Sequence, residues 1–583
     1  MPDRYPLILV LTLISAACIG VSQSVAAATK IEISGIDGEL EENVRLFVGK
    51  PPNERERTLD RFEKNLPDQA KIALSALGYY SAGVDVDRRV EGKDIIIAID
   101  VQPNDPVRVD TITLRVEGDA QKDGKFMPVV ADIPLRRRAV FVSADYESTK
   151  SVLLDRAQDL GYFELAFTTA EVRVSRRNLT ADITLIAESG PRYIFGDIVF
   201  DNDFLDEAFL RRWLPFSEGD PYEASKLAEL TRNLQGSSYF DSVRVVPQRD
   251  ARYEGTVPVR VTLARRDHNL VGLGLGYATE DKGVRGKISW NKPLINRLGH
   301  SASAEMSVSR VRQSASVGYR IPRGTKPLFN YYSFEYGLQN TVDDEEDLKS
   351  FLSTANVQRV SLRRHDWTES IFLRWEREYS TISGDERRTD LVLPGIGFTR
   401  TRTKGSPFLT WGQAEEFTFM YGSRELLSTI DFYKSVVAFK YIRAVSERNT
   451  LIGTLQYGAI SSNDFERVPA SQRFFAGGDR SIRGYRYRDV SPRNLEGDSI
   501  GGRYLEVLNA EYNYRFADLW TAAVFVDAGR AFNSFNHPYS AGAGFGIRWQ
   551  SPVGPFRLDI AHPIDSNPLD RGIRVHISLG PDL

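Results

Sequence analysis

Cysteine is nearly absent: the 583 residues include one, Cys18, and only six histidines and four methionines. A lone thiol excludes a disulfide scaffold, and the histidines show no ligand-like pairing, so no thiolate or imidazole metal cage is expected. An excess of either charge is also lacking. Lys and Arg number 75 against 78 Asp and Glu, a formal net charge of -3, which leaves no basic surplus for phosphates and excludes nucleic acid as a partner. Long apolar runs are missing too, apart from Leu7 to Val21, so a bundle of transmembrane helices is excluded. That run follows Arg4 and leads into Val25-Ala26-Ala27-Ala28, the pattern of a secretory signal over residues 1–28. It is shorter than the ~20 residues a membrane anchor needs, and cleavage before Cys18, as in a lipoprotein, is the lesser alternative.

What the chain does have is aromatics, glycine and pattern. Its length suggests about four domains at roughly 150 residues each. Residues 29 to about 267 contain three copies of one unit, each with an apolar helical stripe ending in a glycine and aromatics. The stripes are Ala70, Leu74, Leu77 before Gly78-Tyr79-Tyr80; Leu153, Ala157, Leu160 before Gly161-Tyr162-Phe163; and Leu227, Leu230, Leu234 before Gly236 and Tyr239-Phe240. Each glycine can supply a left-handed helix cap. One strand-like run precedes each helix and two follow it, as in Gly83 to Arg89 and Asp94 to Val101. A repeat of about 80 residues suits a small α+β domain better than a solenoid, and predicts domains at 29–104, 105–190 and 191–267.

From 268 to 583 the pattern becomes strict alternation: Phe417, Phe419 and Tyr421 against Glu416 and Thr418; Phe556, Leu558 and Ile560 against Arg557 and Asp559. Apolar side chains on one face and charges on the other, sustained this long, predict a transmembrane β-barrel with a wet lumen. Six of the seven tryptophans (Trp290, Trp367, Trp375, Trp411, Trp520, Trp549) lie here, as an interfacial aromatic girdle requires. Turn signals divide the region into about sixteen strands, from 270–278 to 572–580, an antiparallel set whose even number allows closure. The acidic run Asp343 to Asp347 is a solvated outer loop, and one connection, 461–500, is far longer than the rest.

That connection carries Gly477-Gly478 and, five residues from the first of them, Ile482-Arg483-Gly484-Tyr485. It is not a phosphate cradle, which needs a strand before, a helix after and a Lys. Nor does Gly497-Asp498-Ser499-Ile500-Gly501, followed in order by Asp527 and His562, make a hydrolase: the elbow needs a helix directly after the serine, and an alternating strand follows. No enzyme activity and no cofactor are expected. His562 and His576 are strand residues, and His268 stands at the barrel entry.

The Gly-Gly and Ile-Arg-Gly-Tyr block resembles the outer-membrane insertases of bacteria, the superfamily of BamA, TamA and the two-partner secretion transporters. Their sixth outer loop folds into the lumen on an Arg-Gly-Tyr tip, usually with Val where Ile482 stands. In that superfamily the tip Arg contacts acids of the inner wall, and the alternation independently turns Glu511 and Asp527 inward. The resemblance therefore implies a loop lock of Gly477, Gly478, Ile482, Arg483, Gly484 and Tyr485 on Glu511 and Asp527. The three repeats look like periplasmic polypeptide-transport-associated (POTRA) domains, and their number, with the ending Leu579-Gly580-Pro581-Asp582-Leu583, is similar to the TamA branch.

The implied activity is insertion of unfolded outer-membrane proteins such as autotransporters into the lipid bilayer, with a TamB-like inner-membrane partner. A seam between first and last strands would open, weakened by Gly272, Gly274 and Gly276 in the first strand and by Gly580 near the end of the last, whose Ile573, Val575 and Ile577 border it. A secretion pore or solute channel of the same superfamily is the alternative.

Overall fold

The computed structural model describes residues 29–579 apart from 53–55, 92–93, 249–254, 267–268, 279–282, 344–347, 383–384, 406–407, 496, 552–553 and 566–571. The expected signal segment with Cys18, most of the acidic run, His268 and Gly580 lie outside the described residues. Among the described residues no helix is long and apolar enough to cross a membrane.

Three α+β domains come first, each with a three-stranded sheet. The first has β1 (Thr29–Ser34), helices α1 (Gly38–Val48) and α2 (Glu56–Ala76), then β2 (Gly83–Glu91) and β3 (Asp94–Gln102), in spatial order β1-β3-β2. Ile97, Ile99 and Val101 of its central strand meet Leu66, Ala70 and Leu74 of α2 in a core of the domain's own. The second repeats this plan with β4 (Arg108–Glu117), α3 (Met127–Ala131), α4 (Ser143–Leu160), β5 (Ala166–Ser175) and β6 (Thr180–Glu188), in order β4-β6-β5. The third has β7 (Ile194–Asp201), α5 (Glu207–Leu210), α6 (Ala224–Gln235), β8 (Phe240–Pro247) and β9 (Thr256–Arg265), in order β7-β9-β8. All three fall within the spans read from the sequence. Gly78 and Gly161 take positive φ, 94° and 86°, where a left-handed cap was expected. Gly236 does not: its N–H donates to Arg232 O at 2.8 Å, which continues the helical turn instead.

Sixteen antiparallel strands follow in one sheet, each paired with its sequence neighbours, from β10 (Leu270–Ala278) to β25 (Arg574–Leu579). Side chains are distributed in the reverse of a water-soluble protein. Leu273 and Leu275 are 81% and 82% exposed, with Val524, Val526 and Phe545 also outside, whereas Glu376, Glu378, Glu415, Asp527 and Asp559 are buried. An apolar exterior around a charged interior is the arrangement a lipid-facing barrel needs. Alternation places strands at 353–364 and 388–401; the first starts instead at Leu348 and the second runs over Asp385–Lys404, because the ladder continues past the alternating stretch.

The third domain packs on the barrel's first hairpins. Within the compact unit formed by 196–218, 226–251 and 258–583, Tyr239 Oη donates to Gly299 O at 2.6 Å and the Asp206 N–H donates to Arg297 O at 2.9 Å. Arg297 returns an Nε–H to Asp206 at 3.0 Å, and the Lys326 N–H donates to Arg212 O at 3.2 Å. Gly299 and Lys326 sit in the turns after β11 (Gly283–Lys292) and β13 (Arg312–Pro322). Phe209 lies so close to Gly299, itself at φ 80°, that an added Cβ would come within 2.8 Å of the ring. Burial of Tyr239 between Phe209 and Trp213 pushes its phenol up to about 12. Gly299→Ala is therefore expected to destabilise this contact by about 1–3 kcal/mol through strain and overlap, read as faster hydrogen exchange in α5 and the 293–300 turn with the strands from Thr368 onward unchanged.

Candidate functional site: a folded-in loop locked to the barrel wall

Between β20 (Asn449–Ser462) and β21 (Tyr504–Ala517) the chain runs irregularly through the barrel interior. Isolated bridges, Phe474 to Gly502 and Ala476 to Val490, draw it into a doubled-back hairpin. Its apolar side chains have no solvent-free place except the lumen. Ile482, Tyr485, Phe474 and Val490 form a buried cluster with Leu391, Leu393, Phe432 and Val507 of the wall. Ile482 and Tyr485 thus act as packing residues. Gly477 and Gly478 carry the turn that precedes the tip, both at positive φ, and the Ser481 N–H donates to Gly478 O at 3.1 Å to close it.

At the tip, Arg483 is gripped from every side. Its Nε–H and Nη2–H donate to the two oxygens of Asp527 at 2.7 and 2.9 Å, and its own backbone N–H donates to Asp527 at 3.0 Å. Nη1 reaches Glu511 at 2.8 Å and Asp559 at 3.1 Å. The guanidinium lies over the Phe525 ring, 3.4 Å from its centroid. Asp527 is 0% exposed and Arg483 8%, so this is a charge-assisted network out of bulk water, where a planar fork matched to a carboxylate is strongest. Glu511 and Asp527 occupy the lumen-facing positions that alternation assigns them.

Other members were missed in the sequence. Asp559 of β24 (Gly554–Pro563) has the same inward parity as Asp527 and could have been found by it. Arg548 of β23 (Ser540–Ser551) donates to Glu511 at 3.1 Å and also pairs with Asp559, so each of these acids serves two cations. The same strand supplies a floor without side chains. Gly542, Gly544 and Gly546 alternate inward, and a Cβ on them would strike Arg483 O, the Phe525 ring and the Asp559 carboxylate respectively. The alternating glycines in Ala541-Gly542-Ala543-Gly544-Phe545-Gly546 were the available clue. Gly484, at φ 100°, is pressed against the backbone of His562 and Pro563, with a Cβ reaching 3.1 Å from both.

The base of the loop is tied to the wall at two other strands, Thr368–Ile382 and Phe432–Ala444. Gln472 Nε2–H donates to Glu376 at 2.6 Å, Ser471 bonds Glu378, and Lys434 donates to Gln472 O at 2.7 Å. The elbow-like Ser499 donates to Arg488 O at 2.9 Å and contacts Ser491, and β21 rather than a helix comes after it. Among the described residues no group of three His, Cys, Asp or Glu is placed to hold a metal.

At the other predicted site, β10 directs Gly272, Gly274 and Gly276 inward opposite Ser289, Lys287 and Arg285, with Val271, Leu273 and Leu275 outward. A Cβ at Gly276 would meet nothing within 4 Å, one at Gly274 only Lys287, and one at Gly272 the Ser289 hydroxyl, so none of the three is pressed against the loop. Val575 is exposed on the last strand and Ile577 partly so, but β25 starts at Arg574, so Ile573 precedes it.

Arg483→Ala is expected to leave three acids on the inner wall without their common cation, a loss of about 3–5 kcal/mol typical of half a buried ion pair. The loop should become protease-sensitive while the sixteen strands still form by circular dichroism. Asp527→Asn should cost more than Glu511→Gln in denaturant midpoints, because Asp527 takes three of Arg483's five bonds and Glu511 keeps Arg548.

Comparison with known proteins agrees with this geometry. Residues 275–582 match the model of the Omp85 superfamily domain, residues 30–103 that of POTRA domain TamA domain 1, and residues 193–264 a POTRA family described as surface antigen variable number repeat. Outer membrane protein assembly factor BamA of Nitratidesulfovibrio vulgaris is 27% identical over 472 residues, covering 76% of this chain and 58% of its own length. A SAM50-like protein of Schizosaccharomyces pombe is 22% identical over 386 residues, 59% of this chain and 79% of that one. The chain thus spans less than two thirds of the BamA relative. Among solved structures, BamA from Haemophilus ducreyi lacking POTRA domains 1–3 shares the fold with a TM-score of 0.67 at 17% identity, covering 80% of this chain and 99% of that one. A superfamily model matched from the first barrel strand almost to the final residue, over a sixteen-stranded barrel preceded by three POTRA-like domains, establishes that the chain belongs to the Omp85 superfamily.

Proposed function

We propose that this protein resides in a bacterial outer membrane, with its three α+β domains in the periplasm, and inserts unfolded β-barrel proteins through a seam between β10 and β25. One observation carries this reading. Among the described residues every barrel strand is laddered to its sequence neighbours, whereas no ladder joins β10 to β25, although their Cα atoms approach within 8 Å. In hydrocarbon an unpaired backbone group costs several kcal/mol, so two adjacent, weakly joined edges are a template for an incoming strand. Gly274 and Gly276 of β10 offer their partners no side chain to pack on, and β25 is described over only the six residues Arg574–Leu579, both of which weaken closure. The loop filling the lumen argues against an open pore.

A finer assignment to the translocation and assembly module type, with autotransporter substrates and a TamB-like inner-membrane partner, is supported by the match of residues 30–103 to the TamA-type first domain. In this reading the first domain, which has its own core and the edge strands β1 and β2, meets the partner.

Two experiments test this. With Cys18 replaced by Ser, a cysteine pair placed across Leu270–Ala278 and Arg574–Ile577 should abolish insertion of an unfolded barrel protein into vesicles when oxidised and restore it on reduction. Full activity in the quantitatively crosslinked protein would exclude an opening seam. Deleting 29–104 should leave barrel folding and vesicle insertion intact and reduce recovery of a TamB-like protein in pull-downs by at least tenfold, about 1.4 kcal/mol of binding; equal recovery would refute the assignment of that domain.

A further inference from the structure

The lock explains how the loop is held to β21, β22 (Trp520–Phe532) and β24, but one pair of contacts reaches past it to the last strand. His576 of β25 is 6% exposed and faces inward, directly across from Asp559 in the β24 ladder. The backbone N–H of Gly484, next to the locked Arg483, donates to His576 Nε2 at 3.0 Å. The other ring nitrogen, Nδ1, is paired with Asp479, four residues before Arg483 in the same loop. With Nε2 accepting, the Nδ1–H donates to the carboxylate, so a neutral imidazole satisfies both contacts at once. The ring therefore grips the loop on both sides of its turn.

We infer that His576 is a positioning residue that clasps the seam-bordering strand to the folded-in loop, so that β25 is held by the loop as well as by its ladder to β24. The ladder alone is a weak hold. The six Cα partners of β25 run from Phe556↔Leu579 to Ala561↔Arg574, and its other edge has no ladder among the described residues. Two hydrogen bonds from one buried ring are then a sizeable fraction of what fixes the strand. Loop and last strand move as one body: release of the tip frees β25, and movement of β25 pulls on the tip. The purpose of this coupling rests on the insertion reading above. The contact itself can be tested without any substrate.

Hydrogen exchange of the full chain in detergent, read at the β25 amides, decides the matter. Asp479→Ala changes only the loop and leaves every strand residue in place. It should nevertheless speed exchange in Arg574–Ile577 by about three- to tenfold, the loss of one buried charge-assisted bond. His576→Phe, which keeps a ring without hydrogen bonds, should do the same and also expose the 477–486 tip, and combining it with Asp479→Ala should add nothing further. His576→Asn, whose amide N–H can replace Nδ1–H, should recover part of the β25 protection. Unchanged β25 exchange in Asp479→Ala, or additive effects in the double variant, would overturn the clasp even if vesicle insertion were normal. Failure of insertion with the clasp intact would count against the functional reading alone.

Discussion

A guanidinium removed from water needs its counter-charges fixed before it arrives, and three carboxylates facing one another need a cation between them. Neither Arg483 nor the group of Glu511, Asp527 and Asp559 is tolerable alone; together they make the loop and three wall strands one object. Much else in the barrel serves this contact. The glycines of β23 clear the space, Phe525 offers its ring face, and Arg548 balances the charge that Arg483 leaves over. A wall with side chains at 542, 544 and 546 could hold the acids, but no loop could reach them.

The loop also resolves a packing problem. A sixteen-stranded barrel is too wide for wall side chains to fill, and an empty lumen would be water. By carrying Phe474, Ile482, Tyr485 and Val490 inward, the loop gives the barrel an apolar core on one level and an ionic network on another. Its base, tied to Glu376 and Glu378 on one strand and to Lys434 on another, makes it a strut between separate parts of the wall rather than a flap hinged on one.

Period-two alternation exposed the barrel, its strand number and the inward direction of Glu511 and Asp527, because parity is a local property that any stretch of strand displays. The Arg483 tip was legible only through resemblance, since a loop has no period. What stayed hidden depends on which strands stand side by side inside the barrel. Asp559 and His576 had the right parity, yet nothing local distinguishes a carboxylate bound to Arg483 from one bound to water, or a strand histidine from a clasp. Strand ends were misjudged where the ladder continued past the alternating stretch, as at Leu348 and Asp385. Gly236 broke the expected cap because its N–H stayed within the helical pattern.

The docking of the third domain acquires a further meaning beside the seam. Phe209, Tyr239 and Asp206 hold the turn following β11 and Arg212 the turn following β13, on the β10 side, whereas Arg483 and its neighbours hold β21, β22, β24 and β25. The two banks of the seam are thus moored to different bodies, one to the periplasmic arm and the other to the plug. In the proposed opening, a displacement of either body relative to the other would be delivered to the seam as separation or shear, with no strand ladder elsewhere having to break.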